Sequence, residues 1–217
     1  MTNRETEPEE LHESEARSRI VMETVSDAVI TIDEASTILF ANRAACRIFG
    51  YEVEDLRGAP LTMLMPEYLR HLHDAGMNRY QETGVKHISW DGVELPGLHR
   101  SGRELTLEIS FGEYSDGSRR FFTGIARDIT ERKRAERRLA AQYAVTRILS
   151  ETTSFAESVP RILQSVCESL GWETGALWNV DEDAQVLRHV EAWHTPAADL
   201  AEFEGFNARR TFARGAG

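Results

Sequence analysis

Glu104-Leu-Thr-Leu-Glu-Ile-Ser-Phe111 alternates polar and apolar residues without a break, Asp116-Gly117 follows, and Arg119 to Ile125 returns with aromatic and β-branched residues. Period-two alternation puts every second side chain on one face of a strand, and Asp-Gly favours the positive φ angles of a tight hairpin turn. Two antiparallel strands are therefore expected. Val93 to Leu98 supplies a third, closed by the turn Arg100-Ser-Gly-Arg103. Gly97 and Gly124 interrupt these strands and predict bulges or close backbone approaches. Further upstream, Asp27-Ala-Val-Ile-Thr-Ile-Asp33 and Ile38-Leu-Phe-Ala41 flank turn chemistry at Glu34-Ala-Ser-Thr37, which makes a second hairpin.

Helical signals fill the space between the hairpins. Asn42 is a good N-cap for a helix with Ala45, Ile48 and Phe49 on one face, and Gly50 closes it. A second short helix fits Val53 to Arg57, and a longer one starts at Pro66 and runs to about Glu82 before Gly84. A short helix is also expected from Arg17 to Val25. Two strands, several short helices and three strands make an α+β fold: a five-stranded antiparallel sheet with helices on one face.

Beyond Thr130 the pattern changes. Glu131-Arg-Lys-Arg-Ala-Glu-Arg-Arg138 runs through Leu139, Tyr143, Thr146, Ile148 and Leu149 to Ser150 with neither Gly nor Pro, which predicts one helix, amphipathic in its second half. Another helix fits Phe155 to Leu170, followed by strands Gly175 to Val180 and Val186 to Trp193 and a weak helix around Asp199 to Phe206. Two strands are too few to bury a sheet face alone, so this last part reads as an incomplete domain. Four segments result: a disordered acidic tail at 1–16, a complete α+β domain at 17–130, an amphipathic coiled-coil helix at 131–150 and a partial α/β unit at 151–217.

Composition limits the function. The 217 residues carry 25 Lys and Arg against 36 Asp and Glu, a net charge of −11. Residues 1–16 hold six Glu and one Arg, whereas Glu131 to Arg138 is locally +3, with five basic and two acidic residues. Acidity argues against nucleic acid as a partner. With no run near the ~18 apolar residues of a membrane span and no secretory signal, a cytoplasmic protein is expected. Cys46 and Cys167 are far apart and read as small buried hydrophobes. His71, His99, His189 and His194 lack metal-ligand spacing, and no phosphate loop or nucleophile elbow occurs, so no enzyme is expected in this chain.

The run from Ile20 to Thr130 resembles a PAS domain. The resemblance is carried by Asp27 to Asp33, Asn42, Phe49-Gly-Tyr51, Asp55-Leu-Arg-Gly58, Leu64-Met-Pro66, Gly102 and the exit Phe122-Thr-Gly-Ile-Ala-Arg-Asp-Ile-Thr-Glu-Arg132. Ser36 departs from it, standing where the family usually has a turn glycine. Residues from about Ala141 onward, through Leu170-Gly-Trp-Glu-Thr-Gly-Ala-Leu-Trp178, look like the first half of a GAF domain. Together these imply a sensory fragment of a two-component signalling protein, whose commonest parent is a histidine kinase acting in a phosphorelay. The PAS part would sense a small ligand or partner and relay through Asp128, Ile129 and Thr130 to the helix, which would pair in a homodimer and lead to an output domain.

Two alternatives follow. Met65 to Tyr80, with His87-Ile88, is similar to haem-binding PAS domains of oxygen-sensing kinases. That likeness implies His73 as proximal iron ligand, with Arg79 and His87 at the propionates, but Val93 stands in place of the arginine that bonds oxygen. Cys46 lies outside the sequence context of a flavin photo-adduct, so flavin is not expected. The other alternative is a dimerisation module with a filled, ligand-free core.

Overall fold

The computed structural model describes residues 14, 17, 20–117, 119–196 and 211–213. The chain divides into two compact units, Met1–Glu131 and Arg132–Gly217.

In the first unit, residues 20–24 are helical and lead through Asp27 into strand β1 (Ala28–Ile32). β2 (Ile38–Ala41) pairs back against β1. Helices α1 (Arg43–Phe49) and α2 (Val53–Leu56) and a 3-10 turn (Leu61–Leu64) then lead to α3 (Glu67–Thr83). Strands β3 (Val93–Leu98), β4 (Glu104–Ser115) and β5 (Arg120–Asp128) complete an antiparallel sheet in the order β2-β1-β5-β4-β3. The central strand β5 joins the two hairpins, matching Ala28 with Ala126 and Leu107 with Asp128.

The alternating pattern reads directly as burial. Ile30, Ile32, Leu105, Leu107 and Phe122 meet Ile38, Phe49, Leu56 and Leu64 in one core, where Ile38 and Leu56 are fully buried. Asn42 caps α1 by accepting from Ala45 N, and Gly50 ends it in the left-handed conformation. Gly97 is a close approach, since a Cβ there would lie 2.5 Å from Leu107 Cδ1. Gly124 is not: its neighbours stand at ordinary contact distance, and the ladder through it is regular. Pro96 lies opposite Thr106, whose N–H and C=O both point toward the chain after β5, so the missing proline N–H leaves no ladder bond unmade.

The second unit contains most of α4 (Thr130–Glu151), then α5 (Phe155–Leu170) and a sheet of β6 (Thr174–Asp181), β7 (Val186–His194) and β8 (Thr211–Ala213) in that order. α5 packs on β6 and β7 around Val159 and the buried Cys167, whose sulfur crowds Gly175 so closely that a Cβ would come within 2.5 Å of it. The three-residue β8 has no counterpart in the sequence reading. Cys46 is only half-buried. The expected helix around Asp199 to Phe206 lies outside the described residues, as does the tail at 1–16 apart from Ser14, which is helical.

The stripe read along α4 divides between two faces. Ile148 and Ala141 are buried, whereas Leu139 and Tyr143 are 67% and 73% exposed. Ile148 follows Leu139 by nine residues, about two and a half helical turns, and so faces the other way.

Candidate functional site

Two places in the first unit carry chemistry beyond packing. One is the inward stripe of α3, Leu69, His73, Gly76, Met77 and Tyr80, spaced at three and four residues and half-buried throughout. Met77 and Tyr80 pack on the core with Trp90, and the Tyr80 ring lies 5.3 Å from Trp90 and 6.0 Å from Phe122. His73 Nε2 makes a 3.0 Å hydrogen bond with Ser36 Oγ. Burial pushes the imidazole below its ordinary pKa, with Asp74 pulling weakly the other way.

Ser36 holds its hydroxyl there at a conformational cost, for its φ is +60°. A non-glycine residue in that region is strained by about 1–2 kcal/mol. The turn is fixed by the Asp33 carboxylate, which accepts from Ala35 N at 3.0 Å and Thr37 N at 2.8 Å. Gln81 adds a hydrogen bond from α3 to Glu34 O, and Arg120 of β5 pairs with Glu34. α3 is thus seated by a polar latch at the β1–β2 turn as well as by apolar contact.

Of the three residues that the haem likeness names, only His73 turns inward. His73 lies on the inward face with its Nε2 engaged by Ser36, and Tyr80 and Trp90 pack against the core. Arg79 and His87 are exposed, and no hydrogen bond among the described residues joins either to His73.

The second place is the joint between β5 and α4. Asp128 Oδ1 accepts from Thr130 N at 2.9 Å and so acts as the first turn's cap. Thr130 Oγ1 accepts from Thr106 N at 2.9 Å, and Ile129 N donates to Thr106 O at 2.9 Å. Ile129 and Thr130 are 2% and 6% exposed while Asp128 is exposed, and the joint is bonded to β4 before the helix departs. The sequence marked Asp128, Ile129 and Thr130 but not Thr106, since nothing local distinguishes that threonine from its strand neighbours.

Next to the joint, Arg127 Nε and Nη2 donate to the two oxygens of Asp27 at 3.1 and 2.8 Å. Asn42, fully buried, accepts at Oδ1 from Val29 N and Ala45 N, and donates from Nδ2 to Met22 O and Asp27 O. Its capping role was legible from its place before Arg43-Ala-Ala45. Its contacts with Met22 and Asp27 need the tertiary fold.

Among the described residues no helix is long and apolar enough to cross a membrane. A family model described as the PAS fold matches residues 16–129, just over half of the chain. The sensor protein FixL of Bradyrhizobium diazoefficiens is 35% identical over 129 residues, covering 59% of this chain and 26% of the relative. The cell-division control histidine kinase PdhS of Brucella anthropi is 28% identical over 138 residues, covering 63% of this chain and 13% of the relative. The chain thus spans about a quarter of the first relative and less of the second. Among solved structures, a PAS domain from a two-component sensor histidine kinase is 20% identical with a TM-score of 0.44, covering 54% of this chain and 97% of its own. The PAS domain of an HTR-like protein from Haloarcula marismortui is 22% identical with a TM-score of 0.45, covering 58% and 100%. With the family match extending from the helical residues before β1 to the buried Ile129, and with the five-stranded sheet and its helices in place, the chain belongs to the PAS family.

Proposed function

We propose that this chain is the sensing and relaying segment of a two-component-type signalling protein, with residues 17–130 as sensor, 131–150 as relay helix and 151–217 as the beginning of a GAF domain. The observation that carries this reading is the joint. β5 passes into a 22-residue helix through Asp128, Ile129 and Thr130, and three hydrogen bonds fix those residues to one another and to β4. A rearrangement of the sheet therefore moves the root of α4. A ligand or partner that binds one arrangement better than another shifts the population of helix positions.

The exposed Leu139 and Tyr143 give α4 an apolar strip for the same helix of a second copy, which would make the relay a homodimer. The similarity to FixL and PdhS supports a histidine kinase as the parent. Hydrogen exchange on the full chain tests the relay. Asp128→Ala and Thr130→Val should speed exchange across residues 130–139 while β1 and β2 keep their protection. Unchanged exchange in α4 would sink the reading.

A further inference from the structure

The first and last strands of the five-stranded sheet lie side by side. β1 and β5 are paired with Ala28 opposite Ala126, which puts Asp27 and Arg127 across from each other one step beyond that pair. Asp27 follows the helical residues 20–24, and Arg127 lies directly before the joint. Their side chains form a two-pronged ion pair, with Asp27 only 20% exposed and Arg127 59% exposed.

The leading helix is itself held firmly. Met22 O accepts from the buried Asn42 Nδ2 at 2.9 Å, and Glu23 Oε2 accepts from Arg43 N at 3.0 Å. Asn42 Nδ2 also bonds Asp27 O at 3.1 Å, so leading helix, Asp27 and α1 move as one group. On the other side, Arg127 is one residue from Asp128, the cap of α4. The Asp27–Arg127 fork is a side-chain ion pair that bridges these two groups.

We propose that the Asp27–Arg127 fork is a strut coupling the leading helix at residues 20–24 to the root of α4, so that displacement of the leading helix reaches the relay without any ligand entering the PAS interior. This rests on the relay reading above and gives the same joint a second input. A planar guanidinium held by both carboxylate oxygens resists rotation as well as separation, which a single contact would not. Glu108 lies opposite Arg127 on β4 and adds attraction for the same cation.

Hydrogen exchange on the full chain, with Asp27→Ala, Arg127→Ala and the double variant, tests the strut. Each single variant should raise exchange at both ends together, in residues 20–25 and 130–135, by at least about twofold, and the double variant should add little to either. Arg127→Lys keeps the charge but loses the fork, and should behave like Arg127→Ala. A rise at only one end, or additive single effects, overturns the strut. If Asp128→Ala loosens α4 while Arg127→Ala does not, the relay stands and the strut fails. If neither loosens α4, the relay reading itself has failed.

Discussion

Asn42 satisfies all four of its hydrogen-bonding positions in a site with no solvent exposure. Asn42→Ala would leave two backbone N–H groups and two carbonyls without that partner, at roughly 0.5–1 kcal/mol of net stabilisation per bond, so a loss of about 3 kcal/mol is expected. In urea the midpoint should fall with the slope unchanged. His73 and Ser36 set a smaller balance. Ser36→Gly relieves the left-handed strain of about 1–2 kcal/mol but gives up a hydrogen bond of about 0.5–1.5 kcal/mol, so its stability should stay within about 1 kcal/mol of the parent. The pH dependence has a definite sign. Burial holds the folded His73 pKa below its unfolded value near 6.5, so between the two the unfolded chain binds more protons. Stability contributed by neutral His73 is complete above about pH 6.5 and is lost as pH falls toward the folded pKa. His73→Gln should flatten that part of the stability–pH curve, and an unchanged curve would show that His73 is not its source.

At the scale of elements, α4 and α5 carry opposite tensions. α4 exposes Leu139 and Tyr143, and Leu149 is 52% exposed, so the proposed pairing of α4 predicts dimers in light scattering that Leu139→Asp with Leu149→Asp turns into folded monomers. A dimer that survives both charges would place the contact elsewhere. α5 contains Pro160 in its interior, where the ring removes an N–H and crowds the preceding turn. Pro160→Ala should stabilise the second unit by about 1 kcal/mol or more, measured by denaturation. These elements also show what sequence could and could not convey. The helix over Phe155 to Leu170 was legible because its apolar period and Gly171 are local signals, and the sheet's hairpins were legible because alternation and Asp116-Gly117 are local too. The division of α4 into two faces was not. Ile148 and Leu139 are equally apolar, and only packing within the second unit decides that one is buried. The candidate site divides the same way: Asp128 caps a helix within two residues, but the His73–Ser36 bond spans 37 positions and the Asp27–Arg127 fork spans 100.

At the scale of the whole molecule, the two units have separate cores: Ile38, Leu56 and Leu105 in one, and Val159, Ser158 and Cys167 in the other. What joins them covalently is α4, whose first residue Thr130 is buried together with the preceding Ile129 and whose residues from Arg132 on, Ala141 and Ile148 among them, belong to the second unit. Separate cores imply separate melting, because cooperativity depends on shared burial rather than on chain continuity. Calorimetry at fixed protein concentration should therefore show two transitions. Asn42→Ala should lower one of them by roughly 10 °C and leave the other in place, given about 3 kcal/mol and the usual few degrees per kcal/mol for domains of this size. Pro160→Ala should raise only the transition that Asn42→Ala does not move. If either substitution shifts both transitions, α4 couples the two units energetically. A force applied at the joint would then be felt as stability in the second unit, a stronger relay than a lever between independent bodies.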